Sequence, residues 1–379
     1  MTRSAATGDR GTGSRSGPRG GGRVRLLGVA AVVVSLGAWF VGVAAGPALA
    51  ASAHHEKSKR ANHERSAEKK KPKSAKLPKH GKLTYYFVSH GCPTTTFWVN
   101  VWNGAEDAGK QFGVNVKVLK VTTAQCTNVS AVVTLLDTAI AAHPDGIVAT
   151  VESPTAFSSA LKTATHDGIP VVVMNTAPTN TGKPTAANPY LAYIGQDNYT
   201  AGVEAGTEAI KLFHLSRGAP VVIVDHEPTN ISLTARDKGI EAAMNPAGIP
   251  TTVVNTSTTV SSGTSVLSAY LTTHKTVKAI MELGPTGAQQ AVGALKADNL
   301  KGIPIGGFDL SSTVLSYIKR GLVGFTLDQQ PYLQGYYSVE ELFLKSTVGA
   351  APVTIYTGPA FLTPKNVKKL GKFVTLTGY

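Results

Sequence analysis

The sequence predicts an α/β protein of two doubly wound lobes, each built on a parallel sheet. After Lys82, short apolar segments rich in β-branched residues alternate with helical segments, and this series occurs twice along the chain. A crossover long enough to contain a helix joins parallel neighbours, so the alternation favours parallel sheets. A length of 379 residues is enough for two domains.

The first series contains four predicted strands separated by three predicted helices. The strands are 83–88, 114–121, 145–151 and 168–175. The helices are 97–112, 128–142 and 155–167. We expect Gly113 to end the first of these helices, because glycine is the usual residue just beyond a helix end.

The second series repeats the first. Its predicted helices are 198–213, 231–245, 263–273, 287–297 and 311–319, and its predicted strands are 219–225, 249–255, 277–283, 303–309 and 322–328. Each series contains a Gly-Ile-Pro turn, an apolar strand and then a polar residue, which is Asn175 in the first and Asp309 in the second. Open parallel sheets bind ligands beyond the carboxyl ends of their strands, so two facing sheets predict a ligand cleft between them.

The composition excludes several classes of protein. Hydrophobic residues make up 42% of the chain and the mean hydropathy is +0.02, which excludes a multispan membrane protein and a wholly disordered chain. The net charge of +14 is concentrated in residues 1–82, which hold 17 Lys/Arg and 4 Asp/Glu, whereas the remainder holds 20 and 19. Because a nucleic-acid-binding domain carries its basic excess on the folded surface, we expect no nucleic acid partner.

Residues 1–50 have the pattern of a signal peptide. Six arginines precede an apolar run from Leu26 to Ala45, and the small-residue sequence Ala48-Leu49-Ala50 follows. We therefore expect an exported bacterial protein at the cell surface or outside the cell. An uncleaved membrane anchor is the alternative, because the apolar run is near the length that spans a bilayer. No lipobox cysteine lies near the cleavage site.

Residues 51–82 form a basic segment that is poor in large apolar side chains. Such a segment cannot bury enough surface to offset the entropy of ordering it, so we expect a disordered linker. It acts either as a solvated spacer or as an electrostatic attachment to an anionic lipid or cell-wall polymer. We expect no specific metal site at His54, His55 or His63.

A series of landmarks gives the sequence a family resemblance. They are FW at 97–98, GAEDAGKQFGV at 104–114, DGIVAT at 145–150, GIPVVVMNT at 168–176, YIGQDNYTAG at 193–202, ARDKGIEAA at 235–243, GGFDLS at 306–311 and DQQPYLQGY at 328–336. In this order and spacing, residues 83–379 resemble the type I periplasmic solute-binding proteins of ABC sugar importers, the ribose-binding-protein group.

The resemblance implies two lobes joined by three hinge crossings near Gln196, Gln329 and Thr357. The N-terminal lobe is then 83–195 plus 330–356, and the C-terminal lobe is 196–329 plus 357–379. It implies a monomer that captures a small sugar or polyol and delivers it to an ABC permease in the membrane. A sensor that docks on a membrane receptor or histidine kinase is the alternative.

The resemblance also implies a set of ligand-binding side chains. They are Phe97 and Trp98 as an aromatic platform, with Asn175, Arg236, Asp309 and Gln329 as hydrogen-bonding partners. Aromatic faces pack on the C–H faces of sugars, while amide, guanidinium and carboxylate groups pair with hydroxyls. The alternatives are that one aromatic ring is core and that Arg236 forms a surface salt bridge with Asp237 or Glu241.

Two departures from the family pattern disfavour ribose itself. The sequence GPTGA at 284–288 replaces an Asn-Asp pair, and Thr95-Thr96 replaces an Asn-Pro pair. We therefore favour another sugar or a polyol. Second-rank ligand candidates near strand ends are Glu282, Asp225, His226 and Tyr332.

Cys92 and Cys126 follow the first two predicted strands, which are neighbours in a doubly wound sheet. In an exported protein this placement predicts a disulfide between them; free buried thiols or a redox pair are the alternatives. No nucleophile-elbow, phosphate-loop, dinucleotide or zinc-protease motif occurs in the sequence, so we expect no enzyme, no cofactor and no metal.

Overall fold

The computed structural model describes residues 82–93, 95–126, 128–179 and 181–368. The signal peptide predicted over 1–50 and all but the last residue of the linker predicted over 51–82 lie outside the described residues. So does the end of the chain from residue 369 onward.

The described strands form two six-stranded sheets. In chain order they are β1 (Thr84–Ser89), β2 (Asn115–Lys120), β3 (Gly146–Ala149), β4 (Val171–Met174), β5 (Ala192–Gly195), β6 (Val221–Asp225), β7 (Thr251–Asn255), β8 (Ala279–Glu282), β9 (Ile305–Phe308), β10 (Phe325–Asp328), β11 (Ile355–Tyr356) and β12 (Ala360–Leu362). The order is β11-β5-β4-β3-β1-β2 in the first sheet and β12-β10-β9-β8-β6-β7 in the second. The two sheets therefore share one strand order, as the internal repeat predicts.

Nine α-helices lie in the described part of the chain. They are α1 (Thr96–Phe112), α2 (Val129–Ala141), α3 (Ser158–His166), α4 (Asn198–Leu212), α5 (Ile231–Met244), α6 (Val260–Thr273), α7 (Pro285–Ala297), α8 (Ser312–Lys319) and α9 (Pro331–Val348). Gly113 follows α1 in the left-handed conformation, at φ 70°, and ends it as expected. The predicted α/β class with two parallel-sheet lobes is confirmed.

Three short strands escaped the sequence analysis. These are β5, β11 and β12, of four, two and three residues. Strand β12 also runs antiparallel to β10, while every other pair in the two sheets is parallel. A strand of two or three residues shows no periodicity, so only its pairing with a longer neighbour identifies it.

The chain passes between the two sheets at three places. It leaves the first sheet after Gly195, returns between β10 and α9, and crosses again between β11 and β12. The residues at these passages, Gln196, Gln329 and Thr357, are buried. We propose that the lobe boundaries lie here, which gives 83–195 with 330–356 as the first lobe and 196–329 with 357–368 as the second; residues 369–379, predicted with the second lobe, lie outside the described residues.

Each sheet is covered by helices on both faces. In the first lobe, Leu136 of α2 and Leu161 of α3 belong to the apolar cluster on one face, and Trp102 of α1 and Phe343 of α9 belong to the cluster on the other. Strands β3 and β4 are buried along their whole length. This arrangement leaves the strand ends as the open edge of each sheet.

Glycines let one helix pair in each lobe approach at backbone distance. A methyl group on Gly335 of α9 would collide with the carbonyl oxygen of Val101 in α1, and one on Gly104 would collide with that of Tyr332. In the second lobe, a methyl group on Gly202 of α4 would likewise collide with the carbonyl oxygen of Arg236 in α5. The α4–α5 contact bears directly on the cleft, because α5 carries Arg236.

We expect Gly335→Ala to lower the free energy of unfolding by about 1–3 kcal/mol, because the added methyl forces α1 and α9 apart. Gly293→Ala in α7 is the matched control. A methyl there meets mainly the Thr264 side chain, and alanine raises helix propensity by up to about 1 kcal/mol. Urea denaturation of both variants measures the difference; equal stabilities would contradict the close packing described for α1 and α9.

Candidate functional site

A cleft lies between the two lobes at the carboxyl ends of their strands. Its volume is about 690 Å³, within the range of small-molecule sites. The cleft is lined by all six of the first-rank side chains, namely Phe97, Trp98, Asn175, Arg236, Asp309 and Gln329. The structure thus brings together residues that are up to 232 positions apart in the chain.

Asn175 and Asp309 occupy equivalent positions in the two lobes. Each directly follows a central strand, and each has a positive φ, 62° for Asn175 and 66° for Asp309. The backbone N–H of Asn175 donates to Ile194 O at 2.9 Å, and that of Asp309 donates to Leu327 O at 2.7 Å. Asn and Asp tolerate this left-handed conformation better than other non-glycine residues. The repeated Gly-Ile-Pro pattern therefore ends in the same local geometry in both lobes.

Arg236 is buried in the second lobe, where it pairs with Asp309. Its Nη1 donates to Asp309 Oδ2 at 3.1 Å and to Leu283 O at 2.7 Å, while its Nε donates to Asn198 Oδ1 at 2.9 Å. The guanidinium carbon lies 4.6 Å from the centre of the Phe308 ring, within the range of a cation–π contact. Since Arg236 is only 3% exposed, the alternative of a surface salt bridge with Asp237 or Glu241 is wrong.

Gln329 connects the two lobes through its side-chain amide. Its Nε2 donates to Asp309 Oδ1 at 2.7 Å, and its Oε1 accepts from Asn175 Nδ2 at 3.2 Å. Gln334 of α9 joins the same network, donating to Gln329 Oε1 at 2.9 Å and accepting from Asn175 Nδ2 at 3.1 Å. The cleft floor is therefore one continuous set of hydrogen bonds that runs from the second lobe to the first.

The aromatic wall belongs to the first lobe. Phe97 and Trp98 meet edge to face with ring centres 5.2 Å apart, and Trp98 also meets the ring of His90 edge to face at 4.6 Å. Trp98 is buried, whereas Phe97 is half-buried. Phe97 accordingly presents the more accessible ring to the cleft, and Trp98 supports it.

His90 is a titratable group in this wall. Its Nδ1 lies 3.3 Å from Glu152 Oε2 and 2.9 Å from Thr150 Oγ1. Burial by itself would lower the pKa of His90, but the charge and hydrogen bonding of Glu152, with a contribution from Glu227, raise that pKa above its usual value. His90 consequently holds its positive charge to a higher pH than a free histidine does.

The structure places Cys92 and Cys126 side by side at this end of the cleft. Their sulfur atoms are at bonding distance and their Cα atoms are 4.8 Å apart. Strands β1 and β2, which precede them, are parallel neighbours, as the sequence analysis required. Both cysteines line the cleft, in the loops beside Phe97.

Three second-rank candidates do not reach the cleft wall. Tyr332 lies on α9 and donates to Asp107 Oδ2 at 3.2 Å, in the contact with α1. The Asp225 carboxylate accepts from the backbone N–H of Glu227 at 2.9 Å. Glu282 accepts from the backbone N–H groups of Gly284 and Phe308, at 2.8 and 2.9 Å, and burial raises its pKa well above the usual value. Only His226 of this second group lines the cleft.

Glu282 nevertheless shapes the site indirectly. Its two hydrogen bonds hold the ends of β8 and β9 together, next to Asp309. The segment GPTGA begins α7 at Pro285, so Gly284, Pro285 and Thr286 line the cleft where the family pattern has an Asn-Asp pair. Gln289, one residue beyond this segment, also lines the cleft.

Several lining residues escaped the sequence analysis. They include His90, Glu227, Asn230, Gln289, Ser311 and Thr313. Some carry a signal in their position: His90 directly follows β1, and Asn230 and Ser311 cap the helices after β6 and β9. Because polar residues are common in such loops, position alone does not separate a lining residue from an ordinary cap.

Within the described residues, no helix is long and apolar enough to cross a membrane. In the same part of the chain, no three His, Cys, Asp or Glu side chains group as metal ligands would.

Two lobes of one topology, with a polar cleft at the carboxyl ends of their strands, define a ligand-binding protein of the two-lobed class. The family described as periplasmic binding protein domain matches residues 85–346, so the chain belongs to the periplasmic binding proteins.

Relatives of known description agree with this assignment. The xylose/arabinose-binding protein XylF of Sulfolobus acidocaldarius is 30% identical over 305 residues, covering 77% of this chain and 74% of the relative. The crystal structure of a periplasmic sugar-binding protein of an ABC sugar transporter from Legionella pneumophila is 28% identical. It has a TM-score of 0.68 and covers 73% of this chain and 100% of its own. A carbohydrate transporter structure from Acidothermus cellulolyticus, in complex with myo-inositol, is 27% identical, with a TM-score of 0.68 and coverage of 79% and 100%.

The Arg236–Asp309 pair yields a prediction about stability. We expect Asp309→Asn to lower the free energy of unfolding by about 3–5 kcal/mol, because it leaves the buried guanidinium without its counter-charge. The double variant Asp309→Asn with Arg236→Met should lose less than the sum of the two single losses. Thermal or urea unfolding of the ligand-free protein measures all three variants, and strictly additive losses would contradict the coupling.

Proposed function

We propose that this protein is an extracytoplasmic solute-binding protein that captures a small sugar or polyol between its lobes and delivers it to an ABC-type permease. The observation that supports this is the composition of the cleft, which has an aromatic wall and a floor of amide, guanidinium and carboxylate groups. An aromatic face suits the C–H face of a sugar ring, and the polar floor suits its hydroxyl edge. The ligand leaves the site chemically unchanged.

The relatives support this class of ligand. One is named for xylose and arabinose, and the structure from Acidothermus cellulolyticus holds myo-inositol. These are neutral rings bearing several hydroxyls. We propose a pentose or a cyclic polyol of similar size for this cleft. The structures from Legionella pneumophila and Acidothermus cellulolyticus are described as transporter proteins, which favours delivery to a permease over a sensor role.

Both lobes supply ligand contacts in this proposal. Phe97 and Asn175 act from the first lobe, while Arg236 and Asp309 act from the second. No described residue accepts a hydrogen bond from Arg236 Nη2, so this nitrogen is available to ligand oxygens. A ligand that touches both lobes binds the closed form more tightly than the open form, and this difference in affinity drives closure.

We propose that residues 1–50 direct export, that residues 51–82 tether the folded part, and that the Cys92–Cys126 disulfide forms after export. The bond encloses a sequence separation of 34 residues. A cross-link over that length restricts the unfolded chain and braces the loops that flank Phe97.

Thermal unfolding against a ligand panel tests the proposed function. The panel contains D-xylose, L-arabinose, D-ribose, D-glucose, D-galactose and myo-inositol, with L-leucine and L-glutamate as ligands of another class. A sugar or polyol present at about 100 times its Kd should add about 2.7 kcal/mol of stability and raise the Tm by several degrees. A shift caused by an amino acid and by none of the sugars would show that the ligand class is wrong.

We expect Phe97→Ala to weaken binding of the best panel ligand by about 1–3 kcal/mol, the range for losing a large apolar contact. Tyr199→Ala is the matched control, since Tyr199 is an aromatic residue 40% exposed and outside the cleft lining. Isothermal titration calorimetry of both variants gives the comparison. An unchanged Kd for Phe97→Ala would remove Phe97 from the ligand contacts.

A further inference from the structure

The hydrogen bonds of the cleft floor have a fixed direction. The network consists of the side chains of Arg236, Asp309, Gln329, Asn175 and Gln334. An amide side chain can be turned in two ways, so its direction must be set by a partner with no such freedom. Arg236 is that partner, because its guanidinium is always protonated and only donates.

Arg236 sets the orientation of the Gln329 amide through Asp309. The Asp309 carboxylate, paired with Arg236 at 3.1 Å, accepts with both oxygens. The group of Gln329 that faces Asp309 Oδ1 at 2.7 Å must then be the NH2 group. Gln329 Oε1 is therefore turned away from Asp309 and toward the first lobe.

Two amides of the first lobe adjust to that oxygen. Asn175 Nδ2 and Gln334 Nε2 both donate to Gln329 Oε1, at 3.2 and 2.9 Å. Gln334 Nε2 also donates to the backbone oxygen of Gln329 at 3.1 Å, which uses its second hydrogen. Gln334 is consequently fixed with its Oε1 toward Asn175.

This arrangement consumes both hydrogens of the Asn175 amide. One is donated to Gln329 Oε1 and the other to Gln334 Oε1 at 3.1 Å. Asn175 Oδ1 accepts from Thr176 Oγ1 at 3.0 Å and, with two lone pairs, keeps acceptor capacity. A free asparagine side chain can donate as well as accept, whereas the network leaves Asn175 only an acceptor to offer.

We propose that Gln334 is a positioning residue that sets the ligand specificity of the cleft by holding Asn175 as a pure acceptor. Gln334 is itself fully buried and is absent from the cleft lining. The ligand group that meets Asn175 must therefore donate a hydrogen bond, as a hydroxyl does. A group that only accepts, such as an ether oxygen or a fluorine, is rejected there. This inference rests on the proposed function for the identity of the ligand.

The first test needs no ligand. In the amide NMR spectrum of the isotope-labelled full chain, both side-chain NH2 protons of Asn175 should exchange slowly with water, because both are hydrogen bonded in a buried network. Asn175→Ala identifies the two signals by their loss. In Gln334→Leu one of them should exchange much faster. Fast exchange of an Asn175 amide proton in the unchanged protein would overturn the proposal, whatever the ligand is.

The second test measures specificity with the panel ligand that raises the Tm most. Its deoxy and deoxyfluoro derivatives are titrated into the unchanged protein, Gln334→Leu and Gln334→Glu. At the hydroxyl that meets Asn175, both derivatives should bind the unchanged protein about 10-fold or more weakly, because fluorine cannot donate. Asn175→Ala identifies which hydroxyl this is: in that variant, the deoxy and deoxyfluoro derivatives at this hydroxyl should bind as tightly as the parent ligand.

The two Gln334 variants should change this pattern in a way that a loss of stability cannot. In Gln334→Leu, Asn175 regains a free donor, so the deoxyfluoro derivative should bind more tightly than the deoxy derivative. In Gln334→Glu, the carboxylate still accepts from Asn175 but cannot donate to Gln329, so rejection of fluorine should persist while affinity for the parent ligand falls.

Ser338→Ala controls for damage to α9. Ser338 Oγ donates to the backbone oxygen of Gln334 at 2.6 Å, and Ser338 makes no hydrogen bond to the network side chains. This variant should lower stability and keep the unchanged protein's ratio of fluoro to deoxy affinity. An identical ratio in the unchanged protein and Gln334→Leu would overturn the positioning role. A panel with no binding sugar would instead reject the proposed function and leave the exchange measurement to decide the network.

Discussion

The buried ion pair between Arg236 and Asp309 is the interaction on which the cleft depends. A guanidinium that is 3% exposed has little access to water. The protein groups around it must therefore replace its lost hydration with hydrogen bonds and an opposite charge. The protein does this with a carboxylate, a backbone carbonyl, an asparagine side chain and the face of Phe308. These partners come from α4, β9 and the loop after β8, which places three separate segments of the second lobe around one charge.

The same pair sets the donor-to-acceptor direction of the hydrogen bonds in the cleft floor. Because Arg236 only donates, Asp309 accepts, and the amide of Gln329 takes the one orientation that this allows. Gln329 stands where the chain passes from one lobe to the other, so an orientation fixed in the second lobe is transmitted to Asn175 in the first. The crossing at Gln329 thus links the hydrogen bonding of the two lobes as well as their backbones.

The same local structure occurs once in each lobe. A Gly-Ile-Pro turn, an apolar strand and an Asn or Asp in the left-handed conformation bring a polar side chain to the edge of each sheet. Helix pairs meeting at glycines then fix where the neighbouring helices lie. Gly202 lets α4 approach the backbone of Arg236, so the small residue on one helix sets the depth of the charged residue on the other. Packing and ligand geometry are coupled through that contact.

The amino-acid sequence by itself determined the α/β class, the repeat of two lobes and the strand ends at which polar residues gather. These features depend on periodicity and on turn chemistry, both of which are local properties of the chain. The tertiary structure decided which of the polar residues share a site. It separated Tyr332 and Asp225 from the cleft, added His90 and Gln289, and recruited Gln334 from the buried side of α9. It also decided the direction of each amide. Asn175 is oriented by Gln329 and Gln334, more than a hundred positions away, and Gln329 is oriented by Asp309 at the end of another strand, so no local pattern records these partners.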